Sequence, residues 1–467
     1  MPTSIKIIKK LRKAGFEAYW AGGCVRDMLL GIKPTDFDIV TSAKPDEIED
    51  VLEHTIPVGK QFGVIIAVEN GHHFEVATFR SDSGYSDGRR PDAVTFTSAK
   101  EDAFRRDFTI NGMFYDPLAD KVIDYVGGQK DLDARLIRFI GKPHERILED
   151  HLRVLRAIRF KNAFNFQYEP KTYEALVKHA ALVIDKVAWE RIGAELGKIL
   201  AGRDGDFESE GAGGYKTGYK KPLKGATQAF KDMDDIGVLK IILPEIHKLK
   251  GVAQPYIYHK EGDVWTHTMR ALLSLDETAS LPVRWAVLLH DVGKPDTFEL
   301  KERIRFDHHV EFSKNIAAKI LARLHYPKKF VDEVCWLVEH HMMMDPLVTM
   351  PEGRKMKWFL HPYFLNLMRV FKADAEGTIP CDLSLYEKIF ELYRAAVKKM
   401  PHEPKPLLKG EDVIKELKLR PGKLVGEILN ILREKQLGGE IKNRREAIKW
   451  IKGLGKGYSM IKTEPRD

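Results

Sequence analysis

The sequence predicts an α+β protein: an N-terminal α/β head with a small mixed sheet, followed by helices through to the C-terminus. Two observations predict it. Before residue 100 apolar residues alternate, as in FGVIIAVEN and HHFEVATFR, the period of half-buried strands. From about Lys142 they recur at threes and fours, the period of amphipathic helices.

Taken in order, IKIIKKLRK (5–13) reads as a short amphipathic helix. FEAYWAGG is a strand ending in glycines, CVRDMLLG opens a second helix, and DFDIVTS is a short strand. Asn70-Gly71 between two alternating runs signals a two-residue hairpin. The head spans 1–140. HERILEDHLRVLRAIRFKNAF, TYEALVKHAALVI and WERIGAELGKILA make a helical segment over 141–201. Residues 202–225 hold seven glycines and few apolar groups, the composition of a flexible loop. A second helical unit runs over 226–400. Three prolines within 401–406 close it, and a basic helical module follows over 401–467. There is no internal repeat.

The chain has 467 residues, 43% apolar and 31% charged, enough for several cores. No apolar run approaches the roughly 20 residues needed to span a bilayer, so no membrane partner is expected. The N-terminus lacks a secretory pattern, and Cys24, Cys335 and Cys381 are scattered, which fits reduced thiols in the cytoplasm. Net charge is +8. From Glu403 onward, 16 Lys and Arg face 10 Asp and Glu, a balance suited to a polyanion such as RNA.

Chemistry concentrates first in residues 20–160. Gly22 and Gly23 sit between a strand and a helix, where backbone can approach a phosphate closely, and Arg26 adds a fixed charge. Asp36 and Asp38 stand two apart on an expected strand, so their carboxylates face one way and suit Mg²⁺. Glu75 on a neighbouring strand is a candidate third ligand or an ordinary exposed glutamate. RRDFTIN offers Arg106, Asp107 and Asn111. Asp150 and Arg153, one turn apart, can mimic the Watson–Crick edge of a base, or form a plain surface ion pair. Arg156 and Arg159 continue at threes. On one ideal helix Arg159 would point nearly opposite to Asp150.

Histidines cluster later. His267, the doublet His290-Asp291 after an apolar helix, a histidine pair at 308–309, another at 340–341, and Asp374 lie on separate helical segments and together describe a metal site.

AGGCVRDMLLG…DFDIVT, TFRSDSGYSDGRRPDAVTF, RRDFTINGM, DYVGGQKDL and EDHLRVLRAIRF, in this order, resemble class II tRNA nucleotidyltransferases, with bacterial poly(A) polymerases as near relatives. The resemblance covers roughly residues 15–200. It implies addition of CCA to the 3′ end of tRNA from CTP and ATP by two-metal chemistry. Gly22, Gly23 and Arg26 would hold the triphosphate, and Asp36 and Asp38 two Mg²⁺ ions. Arg106 and Asp107 would recognise the ribose. Asp150 and Arg153 would template C and A, with Arg156 and Arg159 lining the same site. WERI…EL (189–196) would brace the templating helix. The family uses the loop Ser81–Pro91 to switch from C to A, so an intact loop argues against CC-only addition.

The histidine set resembles HD-type phosphohydrolases. That resemblance implies a divalent metal at His267, His290, Asp291, His309, His341 and Asp374, the spacing favouring His309 over His308 and His341 over His340. It implies phosphatase or phosphodiesterase action on the tRNA end or a 2′,3′-cyclic phosphate; the alternative is a domain that keeps only the fold. Four rival readings of the whole chain are A-only addition, poly(A) synthesis, an HD phosphohydrolase whose first domain merely binds RNA, and a passive RNA-binding protein, which would not need two metal constellations. The basic 401–467 module would grip the tRNA body.

Overall fold

The computed structural model describes residues 3–83, 93–202, 222–275, 278–400 and 402–461. The helix Ser4–Lys13 buries Ile5, Ile7, Ile8 and Leu11 on one face. Then come β1 (Ala18–Ala21), the helix Gly23–Leu29, β2 (Asp38–Thr41), β3 (Thr55–Ile56), β4 (Val64–Glu69) and β5 (His72–Thr78). They are followed by β6 (Arg80–Ser83), β7 (Ala93–Phe96), β8 (Phe114–Asp116) and β9 (Lys121–Ile123). Seven strands form one mixed sheet in the order β3-β4-β5-β2-β1-β8-β9, with β2 and β5 parallel and the other neighbours antiparallel. β6 and β7 pair separately. Asn70 (φ 54°) and Gly71 (φ 76°) are both left-handed, as the primed hairpin turn requires. β1 lies inside the sheet between β2 and β8 and is wholly buried.

Three expectations change. First, β2 begins at Asp38, so Asp36 lies in the turn before the strand, not on it. The register pairs Asp38 with Ala21, the last residue of β1, and Gly22 (φ 72°) then turns into a helix, so the β1–β2 ladder begins at Asp38. Second, the helix Pro143–Glu149 ends before Asp150, whose backbone is extended, and a new helix begins at Arg153 and runs to Phe164. Third, a helix Pro222–Ile236 reaches into the glycine-rich stretch. Gly225 belongs to it because a Cβ there would meet the Asn162 carbonyl oxygen at 2.7 Å, so glycine permits a close helix crossing. The rest of that stretch, 203–221, and most of the Ser81–Pro91 loop, 84–91, lie outside the described residues.

Contacts divide the chain into two compact units: Met1–Gly251 with Asp276–Leu281 and Ala318–Val331, and Val252–Leu275 with Pro282–Ala317 and Asp332–Asp467. Residues 226–251, which the sequence reading assigns to the later helices, thus group with the head. In the first unit the helix Arg153–Phe164 packs on Trp189–Ala201 and on Pro222–Ile236. The last contact is pinned by Asp232, which accepts from Asn162 Nδ2 at 2.8 Å and the Tyr168 hydroxyl at 3.1 Å.

In the second unit the helices Val264–Ser274 and Phe364–Gly377 cross where Gly377 meets Ala271; a Cβ at 377 would lie 2.9 Å from the alanine. The apolar stretch Trp285–Leu289 is buried and delivers His290 and Asp291 to the interior. The C-terminal helices Gly410–Leu417, Lys423–Leu437 and Arg444–Ile461 share a core of Val413, Val425, Ile428, Leu432, Ala447 and Ile451. They dock on the helix Glu352–Phe359 through Gly353, where a Cβ would fall 1.8 Å from the Glu434 carbonyl oxygen. In a free helix Gly353→Ala would stabilise by about 1 kcal/mol. Here overpacking reverses the sign, and a loss of ~1–3 kcal/mol is expected in a urea melt. A melt unchanged or shifted upward would show that the two helices do not pack this closely.

Candidate active site and metal centre

The first unit holds a cavity of about 830 Å³, and its lining includes every residue that the sequence reading selects in this half: Gly22, Gly23, Arg26, Asp36, Asp38, Glu75, Arg106, Asp107, Asn111, Asp150, Arg153, Arg156 and Arg159. The fold explains the convergence. The β1–β2 register sets Asp38 beside the Gly22 turn. Phe37 packs on Trp20 at 4.6 Å, and Asp36 and Asp38 flank it. Both carboxylates and Glu75 on β5 are exposed to solvent, so hard oxygen ligands stand open to a cation at the cavity wall. The Asp36 and Asp38 carboxylates suit Mg²⁺, which takes one or two carboxylates and keeps water and substrate phosphate among its ligands; Glu75 does not close with them into a three-ligand group.

Opposite them the cations form a fixed network. Arg26 is 1% exposed. It donates to Asp27 Oδ1 at 2.9 Å and to Asn111 Oδ1 at 2.7 Å, with Phe164 4.5 Å beneath its guanidinium. Asn111 in turn donates to Asp107 Oδ1, and Arg156 donates twice to Asp107 Oδ2 at 2.9 and 2.5 Å. Burial opposes the charge on Asp107, yet Arg156 and Asn111 hold its carboxyl well below the usual range. Asp107 is therefore ionised and fixed between elements far apart in sequence. Arg106 is held by Asp102, a fully buried carboxylate that also accepts from Arg105.

Asp150 and Arg153 do not pair with each other. Arg191 donates to Asp150 Oδ2 at 2.8 Å, whereas Arg153 donates to Glu149 Oε2 and to the Arg146 carbonyl, each at 2.6 Å. The surface ion-pair reading is thus replaced by two separately tethered groups lining one cavity. Arg159 lines it too, because the break at Asp150 removes the ideal-helix rotation; it is 3% exposed and donates to Glu195 Oε2 at 2.7 Å. Arg191 belongs to the segment 189–196 expected to brace this region; Asp102 and Glu149 are organisers that the sequence analysis does not single out, their signal being only an acidic residue four positions before a selected arginine.

In the second unit His267, His290 and Asp374 bring one ligand atom each to within 4.8 Å of one another, and Asp291, His309 and His341 do the same. His267 Nε2 lies 2.9 Å from Asp374 Oδ1 and 3.2 Å from His290 Nε2. His290 Nε2 is 3.2 Å from Asp291 Oδ2, and His309 Nε2 is 3.6 Å from Asp291 Oδ1. The other ring nitrogens face outward. Nδ1–H of His290, His309 and His341 donates to the carbonyls of Val287, Phe306 and Val338, and that of His267 to Glu261. A carbonyl can only accept, so each of these Nδ1 atoms carries a proton, and Nε2 is the ring nitrogen that each histidine presents to the cluster. The buried His309 Nε2 makes no hydrogen bond. Four such imidazoles and two carboxylates fit a divalent metal. His308 is outside the cluster, and His340 packs at a tilt against Trp336 instead.

Glu261 escaped the sequence reading. Its side chain is fully buried; Oε1 accepts from both His267 and His259, and Oε2 from the Ile379 N–H at 2.7 Å. The arrangement orients His267 as a ligand. Glu261→Ala should therefore weaken divalent-metal retention by about 10–100-fold, with Glu261→Gln losing less; metal content after graded chelator dialysis measures this, and equal retention by all three proteins would show Glu261 to be packing only.

Mixed-sheet head, helical neck and histidine–aspartate cluster together define the class: a nucleotidyltransferase carrying an HD domain. The family described as "Poly A polymerase head domain" matches residues 18–138, and the HD domain family matches 263–374. The CCA-adding enzyme of Ligilactobacillus salivarius is 30% identical over 95% of this chain and 94% of its own length, and that of Lactococcus lactis is 30% identical over the same shares. Among solved structures, the Bacillus stearothermophilus CCA-adding enzyme in complex with CTP superposes with a TM-score of 0.68 at 25% identity, covering 98% of both chains. The Thermotoga maritima enzyme complexed with tRNA shares the fold (TM-score 0.53, 21% identity, 97% and 96% covered). The chain belongs to the family of CCA-adding tRNA nucleotidyltransferases. Among the described residues no helix is long and apolar enough to cross a membrane.

Proposed function

We propose that this chain works in the cytoplasm, adding CMP, CMP and AMP in turn to the 3′ end of tRNA from CTP and ATP, without a nucleic-acid template. The observation that carries the reading is one cavity that joins exposed carboxylates at Asp36 and Asp38 to a wall of tethered arginines. Asp36 and Asp38, with Glu75 on the same cavity wall, would hold two Mg²⁺ ions. Bound there, such ions supply activation of the tRNA 3′-hydroxyl and neutralisation of charge on the departing pyrophosphate. Gly22, Gly23 and Arg26 hold the triphosphate, Arg106 and Asp107 recognise the ribose, and Asn111 steadies Asp107 in the same site. Asp150 accepts from the base amine while Arg153 donates to its ring, each kept in place by Arg191 and Glu149. Arg156 and Arg159 line the same site, and Glu195 steadies Arg159. The module 401–467 grips the tRNA body.

The deciding experiment supplies CTP and ATP to tRNA ending at the discriminator base and, separately, to tRNA ending in CC, and sequences the products. CCA on the first and A on the second supports the reading; A on the second alone means an A-adding enzyme, and long A tracts a poly(A) polymerase. Arg153→Ala should relax the choice among the four nucleotides, losing about 1–3 kcal/mol of discrimination per bidentate contact. Unchanged incorporation ratios would place base reading elsewhere.

A second reading is carried by the six-residue cluster of the second unit: it hydrolyses phosphate esters. Its imidazole-rich set suits a transition metal such as Ni²⁺ or Fe²⁺ better than Mg²⁺.

A further inference from the structure

The cavity above the second-unit cluster is larger than a phosphate group needs. It measures about 480 Å³, within the range of pockets that enclose a whole small molecule. Asp291, His309, His341 and Asp374 line one part of it. The remaining wall is of another character. Tyr258, Phe306 and Phe371 present aromatic surface, and Tyr258 is 60% exposed. Tyr258 ends a run with Tyr256 and Ile257, which are 73% and 76% exposed. Three large side chains in succession left in water, the last of them on the wall of a metal-fitting cavity, mark a surface kept for a ligand.

The cations sort themselves by their partners. Lys294 is committed to Asp291 at 2.6 Å and Gln254 at 2.9 Å, and Arg305 to Asp307 at 2.9 Å. Arg303 also lines the cavity, is exposed, and has no ion pair among the described residues. It stands between the short strands Glu299–Leu300 and Ile304–Arg305, which fix its place on the wall. A metal-fitting floor, an aromatic face and an uncommitted guanidinium match three parts of one ligand: a phosphate ester, a planar base and a neighbouring phosphate.

We propose that Tyr258 and Arg303 form a nucleoside subsite beside the cluster, so that this centre takes the 3′-terminal nucleotide of an RNA carrying a phosphate ester. Tyr258 stacks the base, and Arg303 contacts the phosphodiester on its 5′ side. This rests on the phosphohydrolase reading. With a 2′,3′-cyclic end the reaction is hydrolysis: the oxygen of water bonds to phosphorus, one ester P–O bond breaks, and the freed ribose oxygen takes a proton.

The test compares three cyclic esters with the full chain loaded with Mn²⁺ or Ni²⁺: adenosine 2′,3′-cyclic phosphate, the dinucleotide ApA ending in the same group, and glycerol 1,2-cyclic phosphate, which has no base. Tyr258→Ala should lower kcat/KM for both nucleotides by about tenfold or more and leave the glycerol ester unchanged. Arg303→Ala should act on the dinucleotide more than on the mononucleotide. Wild-type hydrolysis in which neither variant alters the ratios overturns the subsite and leaves the hydrolase intact. If the wild type hydrolyses none of the three, the hydrolase reading falls, and binding of ApA 3′-phosphate decides the subsite, with CTP saturating the first-unit cavity. Weaker binding by the doubly substituted Tyr258→Ala/Arg303→Ala protein than by wild type upholds it; equal binding overturns it.

Discussion

Asp36→Ala or Asp38→Ala should abolish nucleotide incorporation, with a loss on the order of a thousandfold or more, because metal ligation supplies several kcal/mol of transition-state stabilisation. Binding of tRNA should stay largely intact, since Lys and Arg contacts to phosphates carry affinity. Folding should survive as well: both side chains are exposed, Asp36 lies ahead of the strand, and Asp38 occupies its first position. The two measurements are incorporation of labelled CMP and tRNA affinity by filter binding. Normal incorporation by either variant would remove the proposed active site. Loss of tRNA binding together with activity would recast the carboxylates as structural.

The second large effect is expected in the other unit. His290→Ala combined with Asp291→Ala should eliminate divalent-metal retention at the cluster and any ester hydrolysis, by more than about 100-fold, while nucleotide addition continues. The motive is that the two residue sets belong to different compact units. Both residues are nearly fully buried, and Asp291 faces Lys294 at 2.6 Å, so the double change leaves a buried ammonium without its partner. Asp374→Asn, which keeps the shape of the side chain, is the gentler companion. A well-folded Asp374→Asn protein that still holds metal and hydrolyses as wild type would dissociate the cluster from the activity. Wild type inactive on 2′,3′-cyclic nucleotides and tRNA 3′-phosphate with Mg²⁺, Mn²⁺ and Ni²⁺ would leave the second unit as fold alone.

The sequence by itself determined the α+β class, the hairpin at Asn70-Gly71, the helical second half and the residues that gather in the first cavity and in the histidine–aspartate cluster. These were legible because they depend on local chemistry: alternation, helical spacing, left-handed turn residues, and polar groups recurring around short apolar segments. Tertiary structure alone decided who holds whom. Asp107 is gripped by Arg156 from 49 positions away, Asp150 by Arg191 from 41, and Arg159 by Glu195 from 36. No spacing rule reaches such distances, and the i,i+3 proximity of Asp150 and Arg153 pointed to the wrong partner. The break at Asp150 that brings Arg159 into the cavity was hidden for the same reason: a helix-forming segment reads as continuous until packing turns it. Glu261 shows the point most sharply. It is six residues from His267, yet becomes its orienting carboxylate only because a loop folds back and buries it against the backbone of Ile379, 118 residues on. A buried carboxylate must be satisfied by whatever donors the fold brings to it, and those donors are a property of the folded chain, not of the neighbouring sequence.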